Sequence, residues 1–406
     1  MNIKFLGLSG HLEAGAPGHY ETFHKVLLNS LQGLLGSTNA KFFGSQKSES
    51  IQTWFEPILP DSITSTIPWL PKKFLSSVEL EKKEEREKVI LYNYEGNLFS
   101  LFMLGSIARR SKGLYIYLNF FNSSRFTSIL DSRIRLSLFK MFFLFALRGI
   151  HKKVELSADT EKISNLLESK LGKIFSVFPM YSGLNPEFIT KFEKNVTLIN
   201  LRGARSEYLL KSTLEKNPLL QNIVMDIHGM HNTQIAQYLE KFSNINIIPD
   251  QVDEVSYFAS YKKYSRAAFI YDPEFFSMQS SGRLADAIVA GAELIVPIGT
   301  SLEDVLLEFG NGSSFDFEKE DSLAYALLSK PSIKRKVERM PTSTWAATTI
   351  LEKMQTLIEK DDTPEIHRVF KLLDYAIDEI IRSALWVLRL IFGFRKRFQI
   401  LLGFKR

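Results

Sequence analysis

The chain of 406 residues contains no cysteine, so disulfides, thiolate metal ligands and thiol redox chemistry are excluded, and a reducing compartment is allowed. A Gly-x-Gly-x-x-Gly fingerprint is missing from the first glycine-bearing loop, where Gly10, Gly15 and Gly18 are spaced differently, which speaks against a dinucleotide oxidoreductase. Of the seven histidines, the nearest pair considered, His228 and His231, has no Glu between its members of the zinc-protease kind. No metal site is expected. Met1 to Leu8 carries one lysine and too short an apolar run for a secretory leader, and is expected to be a buried first strand.

What is present describes a folded chain. Hydrophobic residues make up 45% and charged residues 24%, close to ordinary globular composition. The length implies two domains and an appendage. The formal charge is +6, yet residues 381–406 alone hold Arg382, Arg389, Arg395, Lys396, Arg397, Lys405 and Arg406 with no acid. The remainder is therefore near neutral, which excludes a basic nucleic-acid surface spread over the body.

Apolar runs at 3–9, 89–94, 114–120, 154–157 and 174–179 read as strands. Helical spacing falls between them, as in Phe23, Val26, Leu27, Leu31 and Leu34. Residues 44–87, with Pro57, Pro60, Pro68 and Pro71, interrupt this rhythm and read as a long connection with short elements of its own. A second series of strands at 196–201, 223–227, 245–248, 267–271 and 294–297 alternates with helices near 206–215, 231–242, 252–263, 282–290 and 301–308. Such alternation predicts an α/β protein with two doubly wound, Rossmann-like parallel sheets facing a cleft. The expected domains are 1–183, a linker 184–194, a second domain 195–340, a crossing helix 341–360 around Trp345, and a helical tail 361–406 with a further helix near 364–392.

The stretch Ser280-Ser281-Gly282-Arg283-Leu284-Ala285-Asp286 opens a helix with small residues. Unpaired amides there can hold phosphate oxygens, and Arg283 adds a fork of donors. Asp286, three positions on, lies on the same face and can accept from ribose hydroxyls. Arg205, in Arg202-Gly203-Ala204-Arg205, is a second phosphate-binding candidate, and His228 follows a strand where it can contact the donor base region. In the first half, Gly18 and His19 open the first helix, and Glu95 follows a strand end, where open sheets place ligands.

These residues carry a resemblance. The block Asp286-Ala287-Ile288-Val289-Ala290-Gly291, the late Trp-bearing helix and the two nucleotide-binding-like halves resemble the GT-B glycosyltransferases, closest to the retaining family-four type. The resemblance implies a nucleotide-sugar donor held mainly by the second domain and an acceptor held mainly by the first. By it, Gly18, Arg205, His228, Ser280, Ser281, Gly282, Arg283 and Asp286 bind the donor, while His19, Glu95 and Arg283 are the catalytic candidates. The family often has a Glu eight residues before its second; that position is Met278 here, and the second Glu is Asp286. The chain has no Asp-x-Asp pair, and no cofactor or metal is expected.

The last 26 residues mix seven bases with Leu385, Trp386, Ile391, Phe392, Phe394 and Phe398. Arg389 interrupts the best spanning candidate, so the tail is expected to lie on an anionic membrane surface. The function expected is transfer of a sugar to a glycan or lipid-linked, cell-envelope acceptor by a cytoplasmic enzyme peripheral to the inner face of the membrane, as in polysaccharide biosynthesis. The alternative is a GT-B-like subunit without catalysis that serves assembly or regulation.

Overall fold

In the computed structural model the residues described are 2–9, 12, 20–48, 53–59, 76, 78, 87–94, 98–120, 133–178, 180–184, 195–248, 254–334 and 340–361. The chain forms two compact units. One comprises Met1–Phe121, Asp131–Leu156 and Ile350–Arg406, and the other Asn122–Leu130 and Ser157–Thr349.

The first sheet contains β1 (Ile3–Leu8), β2 (Ala40–Ser45), β3 (Glu56–Leu59), β4 (Lys88–Asn93), β5 (Leu114–Phe120), β6 (Val154–Ala158) and β7 (Ser176–Val177), in the order β3-β2-β1-β4-β5-β6-β7. Its helices include α1 (Tyr20–Leu35), α2 (Leu98–Arg110), α3 (Arg133–Leu147) and α4 (Glu161–Leu171). The strands pair in parallel, with Phe5 against Ile90 and Gly7 against Tyr92. Their central residues are buried on both faces, as a sheet sandwiched by helices requires. Strand β2 was not anticipated, because Ala-Lys-Phe-Phe-Gly-Ser is short and contains glycine. Its pairing with β1, Leu8 against Phe43, supplies what propensity lacks. Strand β3 lies inside the anticipated long connection.

The second unit contains β8 (Val196–Arg202), α5 (Ala204–Lys216), β9 (Val224–His228), α6 (Thr233–Leu239), β10 (Ile245–Ile247), α7 (Glu254–Ser260), β11 (Tyr264–Tyr271), α8 (Pro273–Phe276), α9 (Gly282–Val289), β12 (Glu293–Pro297), α10 (Ser301–Phe309), β13 (Gly312–Phe315) and α11 (Glu320–Leu328). Its parallel sheet runs β10-β9-β8-β11-β12-β13. Two apolar layers cover it: Tyr257, Tyr261, Phe269 and Leu284 on one side, and Leu210, Leu214, Met225 and Leu323 on the other. Strand β13 and helix α11 were missed. Gly-Ser-Ser-Phe has no apolar run, and Gly312 is there because a Cβ would meet the Leu294 carbonyl oxygen at 1.9 Å.

The expected helix around Trp345 is α12 (Ser343–Glu359). The units divide at 156/157 and 349/350, whereas composition suggested 183 and 340. Side-chain packing explains where 157–178 belongs: the Lys162 ammonium donates to the Gly299 carbonyl at 2.6 Å, and Trp345 stacks on Phe178 with centroids 5.9 Å apart. The expected linker beyond Leu184, the helix near 364–392 and the basic tail at 381–406 lie outside the described residues. Among the described residues no helix is long and apolar enough to cross a membrane.

Candidate functional site

In the second sheet the connections turn in opposite directions from β8, so the crevice between the ends of β8 and β11 is the topological switch point, where open α/β sheets hold ligands. Arg202 pairs with Tyr271 there. The chain leaves β8 through Gly203, which with a φ of 94° occupies the N-cap of α5. Beside it, β9 ends at His228 and turns at Gly229, with φ +80°. A Cβ at Gly229 would lie 2.3 Å from the Leu201 carbonyl oxygen. The turn is tied down by buried Glu207, whose two oxygens accept from the amides of His231 at 2.8 Å and Asn232 at 3.1 Å.

Arg205 lies in the first turn of α5 and is held by acids. One guanidinium nitrogen is 3.1 Å from Asp272 Oδ1, another is 2.5 Å from Glu318 Oε1, and Glu274 lies at 3.9 Å. The guanidinium also sits 5.2 Å from the Phe317 ring centroid. The hydrogen bond it donates to Glu318, with the charges of Asp272, Glu318 and Glu274, holds its pKa above the ordinary value. Asp272 in turn caps α8, accepting from the Glu274 amide at 3.1 Å.

Arg283 occupies the first turn of α9 and donates from Nη1 to Asn200 Oδ1 at 3.1 Å. Asn200 was not foreseen. It is 1% exposed, and its Nδ2 has no hydrogen-bond partner. Since a guanidinium can only donate, the oxygen of Asn200 must face it, which fixes the amide with its NH2 group turned elsewhere. A lone Asn within the apolar strand Val196–Leu201 was the available signal, because a polar side chain on a buried strand requires a reason. Helix α9 begins at Ser281, whose side chain makes no cap bond. Ser280 points elsewhere, donating to buried Asp159. At Gly282, the nearest neighbour to a hypothetical Cβ is the Met180 methyl, at 3.1 Å.

Asp286, expected to accept from ribose hydroxyls, is 4% exposed and has partners within the protein. Ser182 Oγ donates to Oδ1 at 2.7 Å and the Tyr257 hydroxyl to Oδ2 at 3.0 Å. Tyr257 also shares a 2.8 Å hydrogen bond with the Tyr261 hydroxyl. Burial first, then the Tyr261 and Asp286 charges, push the Tyr257 pKa well up. A residue at the fifth position of an eight-residue helix, whose flanks pack on the sheet, faces the core as readily as the crevice. The helical period alone does not distinguish the two.

Gly18, His19 and Glu95 lie outside the described residues. Met278 is half-buried, and its carbonyl is 3.5 Å from Thr160 Oγ1. Among the described residues no cluster of His, Asp and Glu is arranged to hold a metal ion.

No family model matches the sequence. No curated protein matches it either. Solved structures do resemble the fold. A glycosyltransferase from Rickettsia africae ESF-5 superposes with a TM-score of 0.55 at 11% identity, over 89% of this chain and 100% of that one. Sucrose-phosphate synthase from Thermosynechococcus elongatus gives 0.50 at 11%, over 95% and 99%. The N-terminal domain of trehalose-6-phosphate phosphatase from Candida albicans gives 0.52 at 11%, over 88% and 99%. The architecture is thus that of the GT-B glycosyltransferases, as the resemblance implied: two Rossmann-like units with parallel sheets, matched over nearly the whole chain.

Proposed function

We propose that the protein is a glycosyltransferase that moves a sugar from a nucleotide-sugar donor to a glycan or lipid-linked acceptor of the cell envelope. The observation that carries this reading is the switch point of the second sheet. There a glycine-opened helix start and the Arg283–Asn200 pair stand where this architecture holds ligands, and Arg283 offers donors to anionic oxygens. Arg283 and the amides at the start of α9 would stabilise the departing diphosphate, the group on which charge develops as the glycosidic bond breaks. Arg205 joins them after exchanging its carboxylate partners for phosphate. His228, at the end of β9, would contact the base of the donor.

The family-four resemblance supports retention at the anomeric carbon and a site that needs no metal. His19 and Glu95 are the acceptor-side residues of this reading, with Gly18 supplying backbone amides. The basic, apolar tail at 381–406 supports a location at the inner face of the membrane.

The test is a thermal-shift panel of nucleoside diphosphates and nucleotide sugars on the intact chain, followed by assays of donor hydrolysis and transfer. A cognate ligand at about one hundred times its dissociation constant adds about 2.7 kcal/mol of apparent stability. Binding of no member would remove the donor reading.

A second reading, a GT-B-like subunit without catalysis, is favoured by the engagement of Arg205 with three acids and of Asp286 with two hydroxyls. It predicts no turnover from any donor that binds.

A further inference from the structure

Helix α3 carries an outer face whose chemistry the catalytic reading does not use. Between Arg133 and Lys153 the sequence has six Lys or Arg residues and no Asp or Glu. The inner side of the helix is ordinary core: Phe139, Phe143, Ala146 and Leu147 are buried, and Arg109 of α2 donates to the Ala146 carbonyl at 2.8 Å. The outer side exposes Arg133, Ser137, Lys140, Met141 and Leu144, which at helical spacing fall within about 100° of arc. Met141 is 52% exposed and Leu144 is 44% exposed.

A helix facing water ordinarily alternates acids with bases on its outer side. Among its described side chains this face offers bases, apolar groups and one serine, intermixed, and no acid. The stripe continues past the helix end, where the Arg148 guanidinium lies 4.3 Å from the Phe145 ring centroid and His151 and Lys152 are exposed.

We propose that the outer face of α3 is a docking surface for an anionic lipid membrane, with Met141 and Leu144 entering the headgroup boundary and Arg133 and Lys140 meeting lipid phosphates. Apolar groups flanked by bases, without acids, are what an interfacial helix presents. Charge argues against a second copy of this chain as the occupant, since a two-fold interface would set this basic stripe against itself. The proposal deepens the reading of a membrane-presented acceptor and rests on it for its biological sense. Its test uses vesicles without donor or acceptor, so its failure is distinct from failure of nucleotide binding.

Because the chain has no cysteine, a single Met141→Cys or Leu144→Cys substitution in the full-length protein places one environment-sensitive fluorophore. Tyr325→Cys, at a residue 73% exposed on α11, serves as control. With phosphatidylglycerol-containing vesicles the probes at 141 and 144 should shift to the blue and become protected from iodide. Phosphatidylcholine vesicles alone should have no effect, added salt should reverse the shift, and the probe at 325 should not respond. Arg133→Glu with Lys140→Glu should weaken vesicle binding by about tenfold or more.

Three results would overturn the proposal. One is an unchanged spectrum at 141 and 144 while the protein floats with vesicles, which leaves docking to residues 381–406. Another is a shift that needs no vesicles and grows with protein concentration, which means self-association. The third is absence of vesicle binding altogether.

Discussion

The Tyr257 hydroxyl donates to Asp286 Oδ2 at 3.0 Å, and Ser182 donates to the other oxygen of the same carboxylate at 2.7 Å. One buried acid thereby ties α7 and the segment around Ser182 to helix α9, which presents Arg283. Asp286→Asn retains the shape but offers an NH2 group to one of two hydroxyl donors. It should lower the denaturant midpoint by the equivalent of about 1 to 3 kcal/mol. An unchanged midpoint together with a raised donor Michaelis constant would restore the ribose role instead.

Arg283 should act on the transition state. Arg283→Ala is expected to slow turnover more than it weakens donor binding, because the diphosphate gains charge as it departs. Lysine keeps the charge but loses the fork, and should recover only part. Asn200→Ala leaves the guanidinium in place without its 3.1 Å anchor, and should reproduce part of the loss, within the about ten- to hundredfold range of a charged hydrogen bond. Steady-state kinetics of folded variants decide this; parental kinetics for all three would make the start of α9 structural.

Glu318 should oppose nucleotide binding. It neutralises Arg205 across a 2.5 Å contact that phosphate would have to replace. Glu318→Gln should tighten binding of a nucleoside diphosphate by a factor of about two to five, the scale on which exposed ion pairs act. Arg205→Ala should weaken it. Calorimetric titration checks both, and tighter binding that persists in the Arg205→Ala, Glu318→Gln double variant would show that Arg205 is not the group released.

His24 should make the first unit sensitive to acid. It is fully buried against Phe23, Phe42 and Tyr94, neither ring nitrogen has a hydrogen-bond partner, and burial lowers its pKa from 6.5 to about 3. The unfolded chain therefore takes up a proton near pH 6.5 that the folded chain refuses. The folded state keeps its full advantage above that pH and loses it as pH falls towards 3, by at most about 5 kcal/mol. In His24→Phe the loss should vanish, so urea midpoints of parent and variant should diverge in favour of the variant between pH 6.5 and 4. Parallel curves would show that His24 accepts a proton when folded.

Much of the architecture was legible in the chain because strands buried on both faces of a parallel sheet must be largely apolar. Val196 to Leu201, Ala267 to Tyr271 and Leu294 to Val296 announce themselves in that way. Strands β2 and β13 did not, since Ala-Lys-Phe-Phe-Gly-Ser and Gly-Ser-Ser-Phe become strands through the backbone partners offered by β1 and β12. Small residues before Arg283 marked the start of α9 correctly, because a helix start depends on local chemistry.

Side-chain partnership is a different matter, since it depends on which residues distant in sequence are brought within 3 Å. The sequence by itself determined two doubly wound halves, a near-neutral body, and arginines near the ends of β8 and α9. Only the tertiary structure decided that Arg205 is held by Asp272 and Glu318, that Asp286 faces Tyr257 and Ser182 rather than solvent, and that Asn200 stands behind Arg283. Periodicity records which residues must leave water. It does not record which polar groups will meet when they do, because that is fixed by strand order and by the crossing of elements far apart in the chain.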